Sequence, residues 1–179
     1  MAGRIAGMVN HASNKVWDEK KARFGFVDFI NDKEVVDALF NAVEKWAHEK
    51  GMEAVQGPLG FTDMDHEGML VEGFDQLGTM ATIYNFPYYP EQLKRMGYIK
   101  DQDWYEYKIY IPECIPEKHL RIGQLVMKKY GLKIMKFKNA KEIMPYAKAV
   151  FYTLNEAYTP LYGFAPLTEK QIDYYVNMY

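Results

Sequence analysis

The sequence has one cysteine, one serine and four histidines, and each scarcity closes a class of chemistry. Cys114 lies between Pro112 and Pro116 with no second thiol or spaced histidine nearby. An internal disulfide is impossible and thiol catalysis unsupported, so the chain reads as intracellular. Ser13 stands in no Gly-x-Ser-x-Gly elbow, which excludes a serine-hydrolase triad. His11, His48, His66 and His119 show no i, i+3 or i, i+4 pairing. When Asp63-Met64-Asp65-His66-Glu67-Gly68 is aligned as a calcium loop, Phe74 falls where the bidentate Glu belongs. The acidic run is therefore expected to be a solvated turn, and no metal is expected. Neither a P-loop nor a Gly-x-Gly-x-x-Gly fingerprint is present. No apolar run reaches the roughly 18 residues of a membrane span, and the first residues lack the apolar stretch of a signal peptide. A cytoplasmic protein without a membrane partner is expected. With 22 Lys+Arg against 24 Asp+Glu the net charge is -2, which argues against a strongly basic nucleic-acid binder and a polyacidic tail.

What is abundant is apolar and aromatic. Of 179 residues 49% are hydrophobic and 16% aromatic, enough for one ordered domain with a real core. Many of the 15 tyrosines fall in two stretches, Tyr84 to Tyr110 and Tyr146 to Tyr179. Gly3 to His11 reads as a strand, Ala12 to Ala22 as a polar connection, and Arg23 to Ile30 as a central strand. Regular alternation there puts Phe24, Phe26 and Asp28 on one side and Gly25, Val27 and Phe29 on the other. Val35, Val36, Leu39, Phe40, Val43, Trp46 and Ala47 then recur at helical spacing, with Asp32 as N-cap, Glu34 in the first turn and Gly51 at the C-terminal end. Met52 to Gln56 reads as a strand again. A strand, helix, strand unit of this length predicts a right-handed crossover between parallel strands.

Further along, a short helix is expected at Glu67 to Glu72, and a helix at Pro90 to Gly97 with Pro in its first turn. Asp103 to Ile111 and Leu132 to Phe137 alternate like strands. Helices are predicted at Lys118 to Tyr130, Lys141 to Tyr158 and Thr168 to Met178, the last with Ile172, Tyr175, Val176 and Tyr179 on its apolar side. Two readings stand for Gly57-Pro58-Leu59-Gly60-Phe61-Thr62-Asp63: glycines that let a backbone approach a ligand, or a structural turn. Two also stand for Asn10, His11, Asn14 and Trp17: a polar site with His11 as general base, or residues that tie a loop to its strand.

In this order of elements the chain resembles the GNAT acyltransferase superfamily over roughly residues 3 to 112, through the central strand Phe24 to Ile30, the helix Val35 to Lys50, the strand Glu53 to Gly57, the helix ending in Gly97-Tyr98 and the segment Trp104 to Ile111. Phe24-Gly25-Phe26-Val27-Asp28-Phe29, Gly57 to Thr62 and Tyr84-Asn85-Phe86-Pro87-Tyr88-Tyr89 look like a bacterial subgroup of longer proteins. The resemblance implies an α/β (α+β) fold: a mixed, mostly antiparallel sheet with a parallel pair bridged by an amphipathic helix, and helices on both faces. It implies acyl transfer from acetyl-CoA or another acyl-CoA to an amine. Val27, Asp28, Phe29 and Asn31 would hold the coenzyme, and Gly57, Gly60, Thr62, Asp63, Tyr84 and Asn85 the acceptor. Leu93 stands where the family's proton-donating tyrosine belongs, so Tyr88 or Tyr89 would take that role, with His11 as base. Where the family has a glycine-rich diphosphate loop, this chain has Ile30-Asn31-Asp32-Lys33-Glu34, and two carboxylates at a helix start repel a diphosphate. The alternative is thus a GNAT-shaped binding or structural module that has lost coenzyme A binding. A third reading is aminoacyl transfer from a charged tRNA, although no nucleic-acid partner is evident. Three parts are expected: residues 1–112, the back of a GNAT unit; 113–131, a linker and helix; and 132–179, which resembles the start of such a unit. The last part would complete the sheet, within the chain, in a homodimer or as a segment of a longer protein.

Overall fold

The unit that the spacing singles out, a helix between two strands, is the centre of the computed structural model, which describes residues 1–80 and 82–178. In chain order the elements are β1 (Gly3–Met8), α1 (His11–Trp17), β2 (Lys21–Phe29), α2 (Lys33–Glu49), β3 (Ala54–Gln56), α3 (Tyr88–Arg95), α4 (Glu117–Tyr130), α5 (Ala140–Tyr158) and α6 (Glu169–Met178). The sheet order is β1-β2-β3, with β1 antiparallel and β3 parallel to the central β2. The fold is therefore a mixed α/β arrangement whose parallel pair is bridged by α2. Tyr179, expected on the apolar side of the last helix, lies outside the described residues.

α2 forms because its start and its stripe agree. Asp32 Oδ1 accepts from the N–H groups of Glu34 (2.8 Å) and Val35 (3.1 Å), satisfying donors that a helix start leaves free. Val36, Phe40, Val43 and Ala47 bury the stripe, and Gly51 closes the C-terminal end at φ +75°. α2 lies so close to β1 that a Cβ on Gly7 would stand 3.0 Å from the Trp46 ring. The opposite face is covered by α1 and by residues 163–167. Arg23, adjacent to Phe24 on β2, bonds to Ser13 and Gly163 there, and Trp17 Nε1 donates to Phe164 O at 2.9 Å.

β2 departs from regular alternation. Its register with β1 slips between Arg4↔Asp28 and Ala6↔Gly25, and Phe26 takes φ +48°. The inserted residue is a β-bulge. Phe24 and Phe29, five positions apart, consequently both pack edge-on against Phe40 (5.1 and 6.1 Å between centroids), while Phe26 turns to solvent. The expected division of β2 into two faces therefore fails beyond Gly25.

Five local expectations are corrected. Residues 12–17, taken as a polar connection, belong to α1, capped by Asn10 Oδ1 accepting from Ser13 N at 3.0 Å. No helix forms at Glu67 to Glu72, because Gly68 sits at φ +78° and breaks the right-handed run. Asp103 to Ile111 and Leu132 to Phe137 form no strand. Their alternation supplies an apolar edge, but a strand also needs a neighbour for its N–H and C=O groups, and neither segment has one in this sheet. α3 starts two residues earlier than expected, at Tyr88, with Pro90 in its first turn and Gly97 at φ +91° beyond its end. Among the described residues no helix is long and apolar enough to cross a membrane.

Candidate functional site

The residues singled out from the sequence fall into two groups at different places on β2. The first surrounds its C-terminal end. α3 presents two successive tyrosines to the outer edge of the strand: Tyr88 donates to Phe29 O at 2.8 Å, while the Tyr89 hydroxyl accepts from Phe29 N at 3.2 Å and donates to Asp28 Oδ1 at 2.5 Å. The Tyr89 ring stacks on Phe29 at 4.1 Å. Burial, and then the hydrogen bond to Asp28, push the Tyr89 pKa up to about 12, so at neutral pH it holds its proton and can give it only to a strong base. Asn31 accepts from Gln92 Nε2 at 2.8 Å. Val27 packs against the core beside the bulge. Leu93 is buried in that core.

The second group lies where the chain leaves β3. Beyond a cis Gly57-Pro58 bond, Leu59 N donates to Phe24 O at 2.8 Å, and the segment then peels away from β2. Gly57 and Gly60 are required by contacts within the protein. A Cβ at Gly57 would lie 2.2 Å from Phe24 O, and one at Gly60 would lie 1.9 Å from Asp65 Cβ. Asp65 Oδ2 accepts from the N–H groups of Phe61 (2.8 Å) and Thr62 (3.1 Å). Asn10 Nδ2 donates to Phe61 O at 2.7 Å and Asn14 Nδ2 to Lys21 O at 3.0 Å, so both asparagines tie loops to the sheet. His11, exposed at the first position of α1, and buried Thr62 line one cavity of about 240 Å³, together with Phe61, Pro166, Thr168 and Gln171. Thr62 Oγ1 and the Tyr175 hydroxyl are 2.7 Å apart. A wider depression of about 340 Å³ at the start of β2 is walled by the solvent-exposed pair Lys20–Glu53 and by Lys21–Glu19, and it holds none of the candidates.

Beneath the loop is a polar cluster that the sequence did not reveal. Arg23 is almost fully buried and donates to Ser13 Oγ (2.8 Å), Gly163 O (3.0 Å) and Gly60 O (3.2 Å). Burial lowers its pKa, opposed by the negative charge of Glu67 and Asp63. Burial and the charge of Asp63 push Glu67 up to about 7, and burial also raises Asp63, with Arg23 pulling both the other way. These carboxylates are half-buried and both are held above the ordinary carboxylate range, which corrects the expectation of a solvated acidic turn. A cation inside an otherwise apolar strand was the one available signal for Arg23, since its three partners come from distant parts of the chain.

The two groups stay apart. Arg23 and Asp28 are separated by five strand residues, roughly 16 Å at about 3.3 Å per residue. Tyr88, Tyr89, Asp28, Phe29 and Asn31 are brought together, and so are His11 and Thr62, with Gly60 and Asp63 in the same loop. Buried Asn85 pairs through its side-chain amide with Leu70 N (2.7 Å) and Leu70 O (3.1 Å), and Tyr84 is exposed beside Phe86. Among the described residues no group of three or more His, Cys, Asp or Glu side chains could hold a metal ion.

No protein-family model matches the chain, and no solved structure matches it. Two curated proteins are similar to it. Protein YghO of Escherichia coli (strain K12) is 26% identical over 174 residues, which cover 96% of this chain and 43% of that protein. Bacterial ceramide synthase of Caulobacter vibrioides (strain NA1000 / CB15N) is 26% identical over 181 residues, which cover 94% of this chain and 44% of that protein. The chain thus spans less than half the length of these relatives, one of which is named a ceramide synthase.

Proposed function

We propose that the protein belongs to an acyltransferase of GNAT-like build that moves an acyl group from acyl-CoA to an amine. The observation that carries this reading is the outer edge of β2. A bulge at Phe26 interrupts the strand, its pairing with β3 ends at Arg23↔Gln56, and a protonated tyrosine held by Asp28 stands at its C-terminal end. The relative named a ceramide synthase agrees in chemistry, since a ceramide is the amide of an acyl group with an amino alcohol. Because Tyr88 and Tyr89 occupy the carbonyl and N–H of Phe29, the pantetheine amides pair nearer the bulge, around Phe26 and Val27, with Asp28 and Asn31 flanking. The amine nitrogen attacks the thioester carbonyl, a C–N bond forms, the C–S bond breaks, and the leaving thiolate accepts a hydrogen bond from the Tyr89 hydroxyl, which keeps its own proton, while the thiolate is protonated from solvent. The ammonium proton of the attacking amine passes to solvent or to a base. Gly57 to Asp63, with Tyr84 and Asn85, border the acceptor's approach, and His11 serves a cavity of its own beside Thr62.

A second reading is favoured by one observation at the start of α2. The N–H groups that would hold a diphosphate are already capped by the Asp32 carboxylate, with Glu34 in the same turn. This end does not fit coenzyme A as such helices usually do. A GNAT-shaped module without coenzyme binding is the alternative.

Calorimetry with acetyl-CoA and with acetyl-pantetheine, followed by thiol release in the presence of long-chain and short-chain amines, separates the two. The acyltransferase reading expects heat with both donors at similar affinity, and loss of about 10²-fold or more in thiol release for Tyr89→Phe. Absence of heat with either donor at millimolar concentration removes that reading and leaves the binding module.

A further inference from the structure

Charge is not spread evenly along this nearly neutral chain. Between Glu117 and Lys141 there are eight Lys or Arg and one carboxylate, a net +7, whereas the remaining residues carry 14 Lys or Arg against 23 Asp or Glu, a net -9. The basic stretch comprises α4, the extended segment after it and the first residues of α5; α4 and residues 131–138 alone carry seven Lys or Arg against Glu117, and α4 buries no residue at all. On its helical wheel Ile122, Val126, Tyr130, Met127 and Leu120 share one broad face, and all five are exposed to solvent. Lys118 and Lys129 edge that face, and Arg121 and Lys128 stand on the other side. The extended segment continues the theme, with Leu132 and Ile134 exposed around Lys133.

We propose that α4 and residues 132–138 form a docking surface for an anionic lipid bilayer, with the helix lying in the plane of the headgroups. The combination argues for that occupant over others. A nucleic acid needs the cations but gives no reason for an unpartnered apolar face. A protein groove needs the apolar face but no such excess of cations. An anionic bilayer uses both, burying the apolar side among acyl chains while its headgroups meet the lysines. The surface is distinct from a membrane span, whose absence from the sequence led to the expectation of no membrane partner. It also stands apart from both groups on β2, so it holds or fails independently of the acyltransferase reading.

The test is co-sedimentation of the whole chain with vesicles of phosphatidylglycerol and phosphatidylcholine, with amide exchange to locate the contact. Binding is expected to rise with the anionic fraction and weaken as salt shortens the Debye length, with slowed exchange across residues 117–130. Lys128→Glu with Lys129→Glu is expected to weaken partitioning by about tenfold or more. Ile122→Asn with Val126→Asn is expected to do the same without altering net charge, while Lys45→Glu on the exposed side of α2 leaves binding within about twofold. Four results would overturn the proposal: no binding to anionic vesicles, an equal loss with Lys45→Glu, equal competition by inorganic phosphate, or RNA binding that survives Ile122→Asn with Val126→Asn. A solution dimer that the same double substitution dissociates would overturn it as well, by assigning the face to a second copy of the chain.

Discussion

α2 and α4 carry similar amphipathic patterns, yet one is the centre of the core and the other buries nothing. The pattern is a statement about what a helix can bury, and burial depends on a partner. α2 is flanked by two strands it joins, so its stripe is covered as the chain closes the crossover. α4 follows a segment that pairs with no strand and precedes another that pairs with none. The chain returns to the sheet from residue 162, where the Tyr162 hydroxyl meets Gln56 of β3, Phe164, Leu167 and Ile172 are buried and Gly163 O meets Arg23. Stability is therefore expected to be concentrated in residues 3–98 and 162–176, with the middle contributing little.

The sharpest way to test this contrast is to truncate both stripes. Phe40 is fully buried and packs against Phe24, Phe29 and Tyr98, so Phe40→Ala is expected to cost about 3–5 kcal/mol in urea unfolding. If Leu120→Ala cost as much, the two helices would be energetically alike and the contrast would be lost. Next in size is Arg23→Met. It strands Ser13 Oγ and leaves Gly60 O and Gly163 O without a donor, and about 1–3 kcal/mol is expected by the same measurement. A smaller effect follows from Glu67. Its folded pKa, raised to about 7 from an ordinary 4.5, means that the folded state binds the proton more tightly than the unfolded state. Stability is then fullest below about pH 4.5 for this group and is lost as pH rises towards about 7. Glu67→Gln is expected to flatten that part of the stability profile, and an unchanged profile would place the carboxyl in water.

The contrast also explains what could be seen in the sequence. The helical spacing from Val35 to Ala47, the Asp32 cap and the parallel β2–β3 pair follow from short-range pattern together with the handedness of crossovers, and the structure contains them. The bulge at Phe26 does not follow, because one inserted residue leaves no mark on composition and reverses every face assignment beyond it. Arg23 could be noticed but not placed, because residues 13, 60 and 163 meet it only in three dimensions. Asp103 to Ile111 and Leu132 to Phe137 show the opposite failure, a strand pattern without the hydrogen-bonding neighbour that makes a strand. Within the candidate site, Tyr88 and Tyr89 stand out only through the family resemblance, which finds Leu93 in the place of its tyrosine, and the bonds from their hydroxyls to Phe29 and Asp28 depend on how α3 docks on β2.

The smallest effect tests the exposed region most directly. Leu120 is half exposed on a helix with no buried residue, so truncation removes little packing and leaves no cavity. Ala also has the higher helix propensity, which offsets part of any loss. Leu120→Ala is therefore expected to change unfolding free energy by no more than about 0.5 kcal/mol, as at an ordinary surface site. Because the same substitution removes apolar area from the face proposed to enter a bilayer, it is expected to weaken vesicle binding while the urea midpoint stays still. A change in the midpoint without a change in vesicle binding would mean that the α4 stripe is packed against protein in solution, and that the two halves of the molecule differ less than their burial suggests.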